Sequence, residues 1–153
     1  MGPIDPAVGD VELLDFLRRI EWFPGRQSDL RPHLEAWTTH DYRVSDAVQD
    51  FMAECGDLGF EYPRHPAVGG SHTCLVSGTV SAPRIARRLV ASYETRIDRE
   101  LCPIGQSASG NLFLLMASDG TTYGGHDQFL AKISDDGYHA LLDISRREKM
   151  IPI

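Results

Sequence analysis

The sequence lacks any long hydrophobic segment. Apolar runs such as Leu112 to Ala117 are far too short to cross a bilayer, because a spanning helix needs about 20 mainly apolar residues. No signal-peptide pattern opens the chain, since Asp5, Asp10 and Glu12 stand where such a signal needs basic and then apolar residues. These absences predict a cytoplasmic protein that does not use a membrane as a partner.

Cysteine is also scarce. Cys55, Cys74 and Cys102 cannot all pair, and no two of them form a C-x-x-C motif, so we expect three reduced, buried thiols. His72 and Cys74 could share one face of a strand, but a tetrahedral zinc site needs further ligands that no recognisable spacing supplies. The sequence therefore predicts neither a metal nor another cofactor.

Catalytic motifs are missing as well. No glycine run matches a phosphate-binding loop or a dinucleotide fingerprint. Gly105 to Gly110 resembles a nucleophile elbow only loosely, because Ser109 occupies the second glycine position and a hairpin follows. His126 and Asp127 suggest a base with an orienting carboxylate, yet neighbouring side chains on an extended segment point apart. We therefore predict no catalytic residues and no enzyme; a hydrolase using Ser107 or His126 is the alternative.

Size and composition are those of one globular domain. The chain has 153 residues, of which 42% are hydrophobic and 24% charged. Residues 1–9 contain two prolines and two glycines and little to bury, which predicts a flexible N-terminal tail. No repeat or linker divides the remainder, so we expect a single domain over residues 10–153.

Helical periodicity precedes Ile97, and hairpin signals follow Leu101. The predicted helices are an Asp10-capped helix from Val11 to about Ile20, Ser28 or Asp29 through Trp37, a Ser45-capped helix ending before Gly56, Ile85 to Ile97 with Pro83 just ahead, and one opening at Ser134. The predicted strands are Thr73 to Val80 with an interruption at Gly78, Leu101 to Ile104, Asn111 to Ser118, Thr121 to Tyr123 and Gln128 to Ile133, and Glu61 to Gly70 is turn-rich. This order predicts an α+β fold with helices packed around a mostly antiparallel sheet.

Charge is distributed unevenly. The net charge of -7 argues against a nucleic-acid partner. Residues 1–62 carry 5 basic and 13 acidic side chains, whereas residues 63–153 carry 10 basic and 9 acidic ones. An uneven charge distribution can mark a contact surface, and the alternative is a solvated face.

The strongest local signal is an acidic stripe on the third helix. Its members are Asp46, Asp50, Glu54 and Asp57, which fall within about 80° of one another. No Lys or Arg occurs between Asp46 and Glu61 to neutralise them. Like charges at i,i+4 are mildly unfavourable, so a basic partner would explain the stripe, and solubility would explain it equally well.

Two large aromatic residues, Trp22 and Phe23, precede a Pro-Gly helix break. Such residues either tuck the helix end onto the core or stay exposed as contact residues. We include both with the acidic stripe in the predicted partner-binding set.

The order of these features resembles the SUKH superfamily, specifically its third group of immunity proteins. The resemblance covers roughly Val11 to Ile144. The residues that carry it are Trp22-Phe23-Pro24-Gly25-Arg26, Phe51-Met52-Ala53-Glu54-Cys55-Gly56-Asp57-Leu58, Leu101-Cys102-Pro103-Ile104-Gly105, Leu112 to Met116, Asp119-Gly120 with Tyr123, and the closing helix through Leu141.

The resemblance implies a single SUKH-like α+β domain. It also implies an immunity protein that binds and neutralises a polymorphic toxin, often a nuclease, by occlusion and without catalytic residues. A small-molecule or peptide-binding regulatory module on the same fold, using the Gly105 to Gly110 loop and His126, is the alternative. The identity of the toxin and the oligomeric state do not follow from the sequence.

Overall fold

The computed structural model describes residues 10–153, so the tail predicted for residues 1–9 lies outside the described residues. Six α-helices and one seven-stranded antiparallel sheet form this part of the chain, which confirms the predicted α+β class. The helices are α1 Val11–Arg19, α2 Arg31–Thr39, α3 Asp46–Cys55, α4 Gly78–Arg84, α5 Arg87–Ile97 and α6 Gly137–Ser145. The strands are β1 Gly59–Pro63, β2 Ser71–Val76, β3 Leu101–Ser107, β4 Leu112–Ala117, β5 Thr122–His126, β6 Phe129–Ser134 and β7 Ile151–Pro152.

The sheet follows chain order from β1 to β7, and every neighbouring pair is antiparallel. A single turn of 3₁₀ helix, Ala108–Gly110, connects β3 to β4. β1 is therefore one edge of the sheet and β7 is the other.

Helices cover both faces of the sheet. A Cβ at Gly137 in α6 would meet Phe51 of α3 and Met116 of β4, so these two helices share the face to which Met116 points. A Cβ at Gly125 in β5 would lie 2.6 Å from the Tyr93 ring of α5. Met116 pairs with Thr122, three residues from Gly125, and side chains alternate along a strand. α5 therefore packs on the opposite face.

At the N-terminal ends of α1 and α3, a polar side chain caps the helix. Asp10 accepts a hydrogen bond from the Leu13 N–H, and Ser45 accepts one from the Val48 N–H. The buried face of α3 consists of Val48, Phe51, Met52 and Cys55. These helices confirm the prediction from periodicity and caps.

The segment from Thr73 to Val80 differs from the predicted strand interrupted at Gly78, because the residues after the interruption form a helix. β2 ends at Val76, and Ser77 caps α4 by accepting a hydrogen bond from the Val80 N–H at 3.1 Å. Trp37 packs against Gly78 so closely that a Cβ there would lie 2.6 Å from the indole ring. Pro83 lies inside α4, and α5 begins only at Arg87. The Ser77 cap and the Trp37 contact begin a helix at the point where the sequence suggested that the strand continues after Gly78.

The prediction of a turn from Glu61 to Gly70 is wrong for its first residues. Glu61 and Pro63 belong to β1, which pairs with β2 in the register Phe60 to Cys74 and Tyr62 to His72. A proline is tolerated here because β1 is an edge strand. The turn itself is confined to the residues between β1 and β2.

The hairpin predicted at Asp119-Gly120 joins β4 to β5. The Asp119 carboxylate accepts a hydrogen bond from the Thr121 N–H at 3.0 Å, and Gly120 has φ of 91°. Glycine takes this left-handed conformation without steric cost.

The short strand β7 at the C-terminal end was not expected from the sequence. Ile151, which belongs to β7, and Ile153, which follows it, are both exposed. Over residues 10–153, no helix has both the length and the apolar character needed to cross a membrane.

Candidate functional site

The N-terminal part of the acidic stripe lies on the solvent-exposed face of α3. Asp46 and Asp50 are both exposed, opposite the buried Phe51 and Cys55. Among residues 10–153, neither carboxylate has an ion-pair partner. This part of the stripe matches the expectation of an uncompensated acidic surface.

The C-terminal part of the stripe has partners inside the protein. Glu54 is half-buried, and its carboxylate accepts a hydrogen bond of 2.5 Å from the Tyr138 hydroxyl of α6. Burial raises the pKa of Tyr138, and the negative charges of its neighbours raise it further, so the hydroxyl stays protonated as the donor. Glu54 therefore has a structural contact in addition to its exposed part, which neither a basic partner nor solubility accounts for.

Asp57 also has an internal neighbour. It follows the end of α3 with φ of 69°, and its Oδ1 lies 3.3 Å from Nε2 of His33. The approach is within ion-pair distance but outside hydrogen-bond geometry, since Nε2 has no hydrogen-bond partner. The Asp57 side chain is 60% exposed, so it can contact both His33 and solvent.

His33 was not singled out from the sequence. It is 1% exposed, and its Nδ1 accepts hydrogen bonds from the N–H groups of Gly78 and Thr79 at 3.1 and 3.3 Å. A nitrogen that accepts from backbone N–H groups carries no proton, so in the neutral ring the proton is on Nε2 and faces Asp57. His33 thus joins α2, the start of α4 and the residue after α3; no spacing in the sequence signals this.

The aromatic pair before the helix break divides into one buried and one exposed residue. Trp22 is 3% exposed and belongs to the hydrophobic core, whereas Phe23 is 57% exposed. Pro24 and Gly25 form the turn that follows, with the Arg26 N–H donating to the Phe23 carbonyl at 3.1 Å and Gly25 at φ of 81°. The buried Trp22 offers no surface to a partner in this structure, whereas the Phe23 side chain is exposed to solvent.

The turn is held against the C-terminal end of α3. Arg26 Nη1 donates to the carbonyl oxygens of Glu54 and Gly56 at 2.8 and 2.9 Å. The Ser28 hydroxyl donates to the Met52 carbonyl. A cation at a helix C-terminus satisfies carbonyl groups that have no partner within the helix. This arrangement explains why a Pro-Gly-Arg segment follows the two aromatic residues.

A groove of about 1270 Å³ opens beside this turn. Its walls come from the end of α1, the turn at Phe23, the first strand β1 and the residues after α6. Its apolar surface includes Phe16 and Phe60, whose rings pack edge to face with centroids 5.2 Å apart. Asp57 lines the groove as well, so the groove is continuous with the acidic stripe.

The loop from Gly105 to Gly110 and His126 lie at the same end of the sheet. Ser107 pairs with Leu112, and Phe113 pairs with Gly125, which brings the two hairpin ends close. The Ser107 hydroxyl is buried and bonded to the Tyr62 hydroxyl at 2.7 Å, so it is not presented for attack. The groove does not include these residues.

The predicted divergence of His126 and Asp127 is wrong. Asp127 has φ of 47° in the turn between β5 and β6, and its Oδ2 lies 3.3 Å from Nε2 of His126. The turn, rather than an extended segment, brings the two side chains together. Both side chains are exposed, and the Tyr93 hydroxyl donates a hydrogen bond to the Asp127 backbone carbonyl at 2.6 Å.

All three cysteines are free and buried, as predicted. Burial raises the pKa of the Cys74 thiol to about 12 and raises the pKa values of Cys55 and Cys102 as well. In the part of the chain that the structure describes, no group of three His, Cys, Asp or Glu side chains is placed to hold a metal ion.

The candidate site thus combines an exposed acidic helix face, an exposed aromatic residue and an open groove on an α+β scaffold. The sequence model of the SUKH-3 immunity protein family matches residues 10–146, and the chain belongs to that family. It is therefore an immunity protein whose partner is a toxin, and the family points to a non-enzymatic role. No curated protein and no solved structure matches the chain.

Proposed function

We propose that this immunity protein neutralises a nuclease-type toxin by occluding its nucleic-acid-binding surface. The supporting observation is the pair Asp46 and Asp50, which are exposed on α3 without an ion-pair partner in residues 10–153. Nucleases bind phosphates with Lys and Arg, so carboxylates can occupy the same positions. Steric occlusion requires no chemistry from the inhibitor.

The proposed contact surface extends from α3 towards the groove. Asp46 and Asp50 provide its free charges, and the exposed parts of Glu54 and Asp57 continue them to the groove. Phe23 provides an exposed aromatic side chain beside these charges, and Trp22 anchors it to the core. Aromatic residues at the centre of an interface and charges around it are a common division of roles.

The proposal is tested by reversing the free charges. The variant Asp46→Lys with Asp50→Lys should slow association with the cognate toxin domain by at least about tenfold at low salt. The effect should shrink as salt is raised, because ions screen exposed charges. Stopped-flow or surface plasmon resonance measurements at several salt concentrations give both quantities.

A matched control makes the same change in net charge elsewhere. Glu35→Lys with Glu148→Lys alters two exposed carboxylates on α2 and after α6. We expect this control to associate within about threefold of the wild-type rate. An unchanged rate for the α3 variant, or an equal loss in the control, would place the contact surface elsewhere.

A further inference from the structure

The edge strand β1 has backbone groups that its own sheet does not use. Val76 donates its N–H to the Leu58 carbonyl at 2.8 Å, and Arg64 donates to the Gly70 carbonyl at 3.0 Å. In an antiparallel pair, alternate residues of a strand face its neighbour. The even-numbered residues of β1 therefore bond to β2, and the N–H and C=O groups of Gly59 and Glu61 point away from the sheet.

These outward groups have no partner within residues 10–153. No backbone or side-chain hydrogen bond reaches the N–H or C=O of Gly59 or Glu61 from another element. Both residues are exposed and both line the groove. A row of unpaired backbone groups beside an open groove is the arrangement that accepts an additional strand.

The unpaired carboxylate on the edge strand favours a basic side chain in the added segment. Arg26 is bonded to the α3 carbonyl groups, and Arg146 forms an ion pair with Glu12 at 3.0 Å. In the described residues, Glu21 and Glu61 have no ion-pair partner, whereas Arg19 is the remaining free cation of the groove lining. The lining therefore has three basic and three acidic side chains, and the charged residue of the edge strand itself is Glu61, which favours a basic side chain beside it.

A second copy of this chain fits the edge poorly. Two β1 strands paired about their centres would place one Glu61 beside another, and directly opposed like charges destabilise a sheet. Pro63 lacks an N–H and so shortens the usable edge. The edge is thus protected against pairing with itself while it remains open to a basic strand.

We propose that an extended segment of the toxin adds to the edge of β1 as a further strand. It would carry a basic side chain next to Glu61 and an apolar side chain in the groove against Phe23 and Phe60. This inference rests on the proposed occlusion of a toxin. It identifies β1 as the element whose backbone hydrogen bonds align the toxin segment. Backbone hydrogen bonds to Gly59 and Glu61 supply the ladder, and the side chains supply selectivity.

The first test is hydrogen exchange of the intact protein with and without its cognate toxin domain. In the free protein the amides of Gly59 and Glu61 should exchange quickly, because they face solvent. In the complex both should become protected by at least about tenfold. The amides of Phe60 and Tyr62, which already bond to β2, serve as internal controls.

The second test removes a single outward donor. Glu61→Pro deletes the N–H that faces the groove and no β1–β2 hydrogen bond, since proline is tolerated on the open side of an edge strand. Glu61→Thr is the matched control, because it loses the same carboxylate but keeps the N–H and suits a strand. We expect Glu61→Pro to bind the toxin domain about tenfold more weakly than Glu61→Thr.

The outcomes separate this inference from the proposed function. Protection on α3 with unchanged exchange at Gly59 and Glu61 would overturn the added strand and leave the acidic contact standing. Protection at these two amides, together with normal association of the α3 charge-reversal variant, would support the added strand and contradict the acidic contact. If Glu61→Pro and Glu61→Thr are both folded and bind equally, the backbone donor has no role and the inference is wrong.

Discussion

At the N-terminal end of α3, Asp46 and Asp50 face solvent without partners among the described residues, whereas at its C-terminal end Glu54 bonds to Tyr138 and Asp57 faces His33. The four carboxylates look equivalent in sequence, since they repeat on one helical face. Their neighbours in space make them different. The comparison teaches that one charge pattern can hold both a free binding surface and a structural contact.

The physical basis of the difference is the position of the helix end. The C-terminus of α3 is packed under the turn that contains Arg26 and Ser28, and against α6 and α2. Carboxylates there are near donors and are partly removed from water. The N-terminal turn of α3 has no such cover, so its carboxylates remain hydrated and available to a basic partner.

The largest expected effect concerns His33. His33→Leu should lower the free energy of unfolding by about 2–4 kcal/mol, because it leaves two buried backbone donors, those of Gly78 and Thr79, without an acceptor. Chemical denaturation of the two proteins measures the difference. His33→Asn is the control, since its amide oxygen can occupy the place of Nδ1 and should recover part of the loss. Equal losses in both variants would show that packing, and not the hydrogen bonds, is the cause.

A smaller effect distinguishes the two ends of α3 directly. Glu54→Ala should destabilise the protein by about 1–2 kcal/mol, because the partly buried Tyr138 hydroxyl loses its acceptor. Asp50→Ala should change the stability by no more than about 0.5 kcal/mol, as expected of an exposed site. Thermal and denaturant unfolding of both variants provides the measurement. Glu54→Gln keeps an acceptor oxygen and should lie between them; equal stability of the Glu54→Ala and Asp50→Ala variants would remove the distinction.

The smallest effect extends the comparison to the carboxylates at the start of α1 and α6. His139 lies between them, with Nε2 2.9 Å from Asp10 and Nδ1 2.7 Å from Asp136. Partial burial alone would lower the pKa of His139, but the hydrogen bonds to the two carboxylates raise it above its ordinary value. The Leu13 N–H and His139 together lower the pKa of Asp10.

The sign of the pH dependence follows from these directions. A raised pKa in the folded state means that protonated His139 stabilises the fold below about pH 6.5, and that this contribution is lost as pH rises through the folded pKa. We expect the melting temperature to fall by a few degrees between about pH 6 and pH 8. In His139→Gln this decline should be smaller. An identical decline in both proteins would assign the pH dependence to other groups.

Most of the helices and the antiparallel hairpins could be predicted from sequence. Ser45, Gly56 and the apolar spacing of α3 are local signals, and Asp119-Gly120 marks its hairpin regardless of the rest of the chain. The interruption at Gly78 was predicted, but the helix that begins there was not, because the packing at this point depends on Trp37, which is 41 residues away in sequence and lies against the glycine only after folding. β1 was missed because proline and polar residues occur in an edge strand as readily as in a turn.

The candidate site was predictable only in outline. The acidic stripe and the exposed Phe23 were visible, since charge and aromatic residues can be located by spacing alone. The role of Arg26 at the end of α3 and that of His33 between three elements had no local signal. The groove was also not foreseen, because its walls come from α1, β1 and the residues after α6.

The sequence by itself determined the α+β class, the caps of α1 and α3, the buried side of α3 and the excess of acidic residues in the first part of the chain. The helix features depend on residues within a few positions of one another, and the charge excess is a property of composition. Only the tertiary structure decided which carboxylates are free, where Phe23 stands and which strand leaves its backbone groups open. Those properties depend on distances between segments remote in the chain, and packing alone sets such distances.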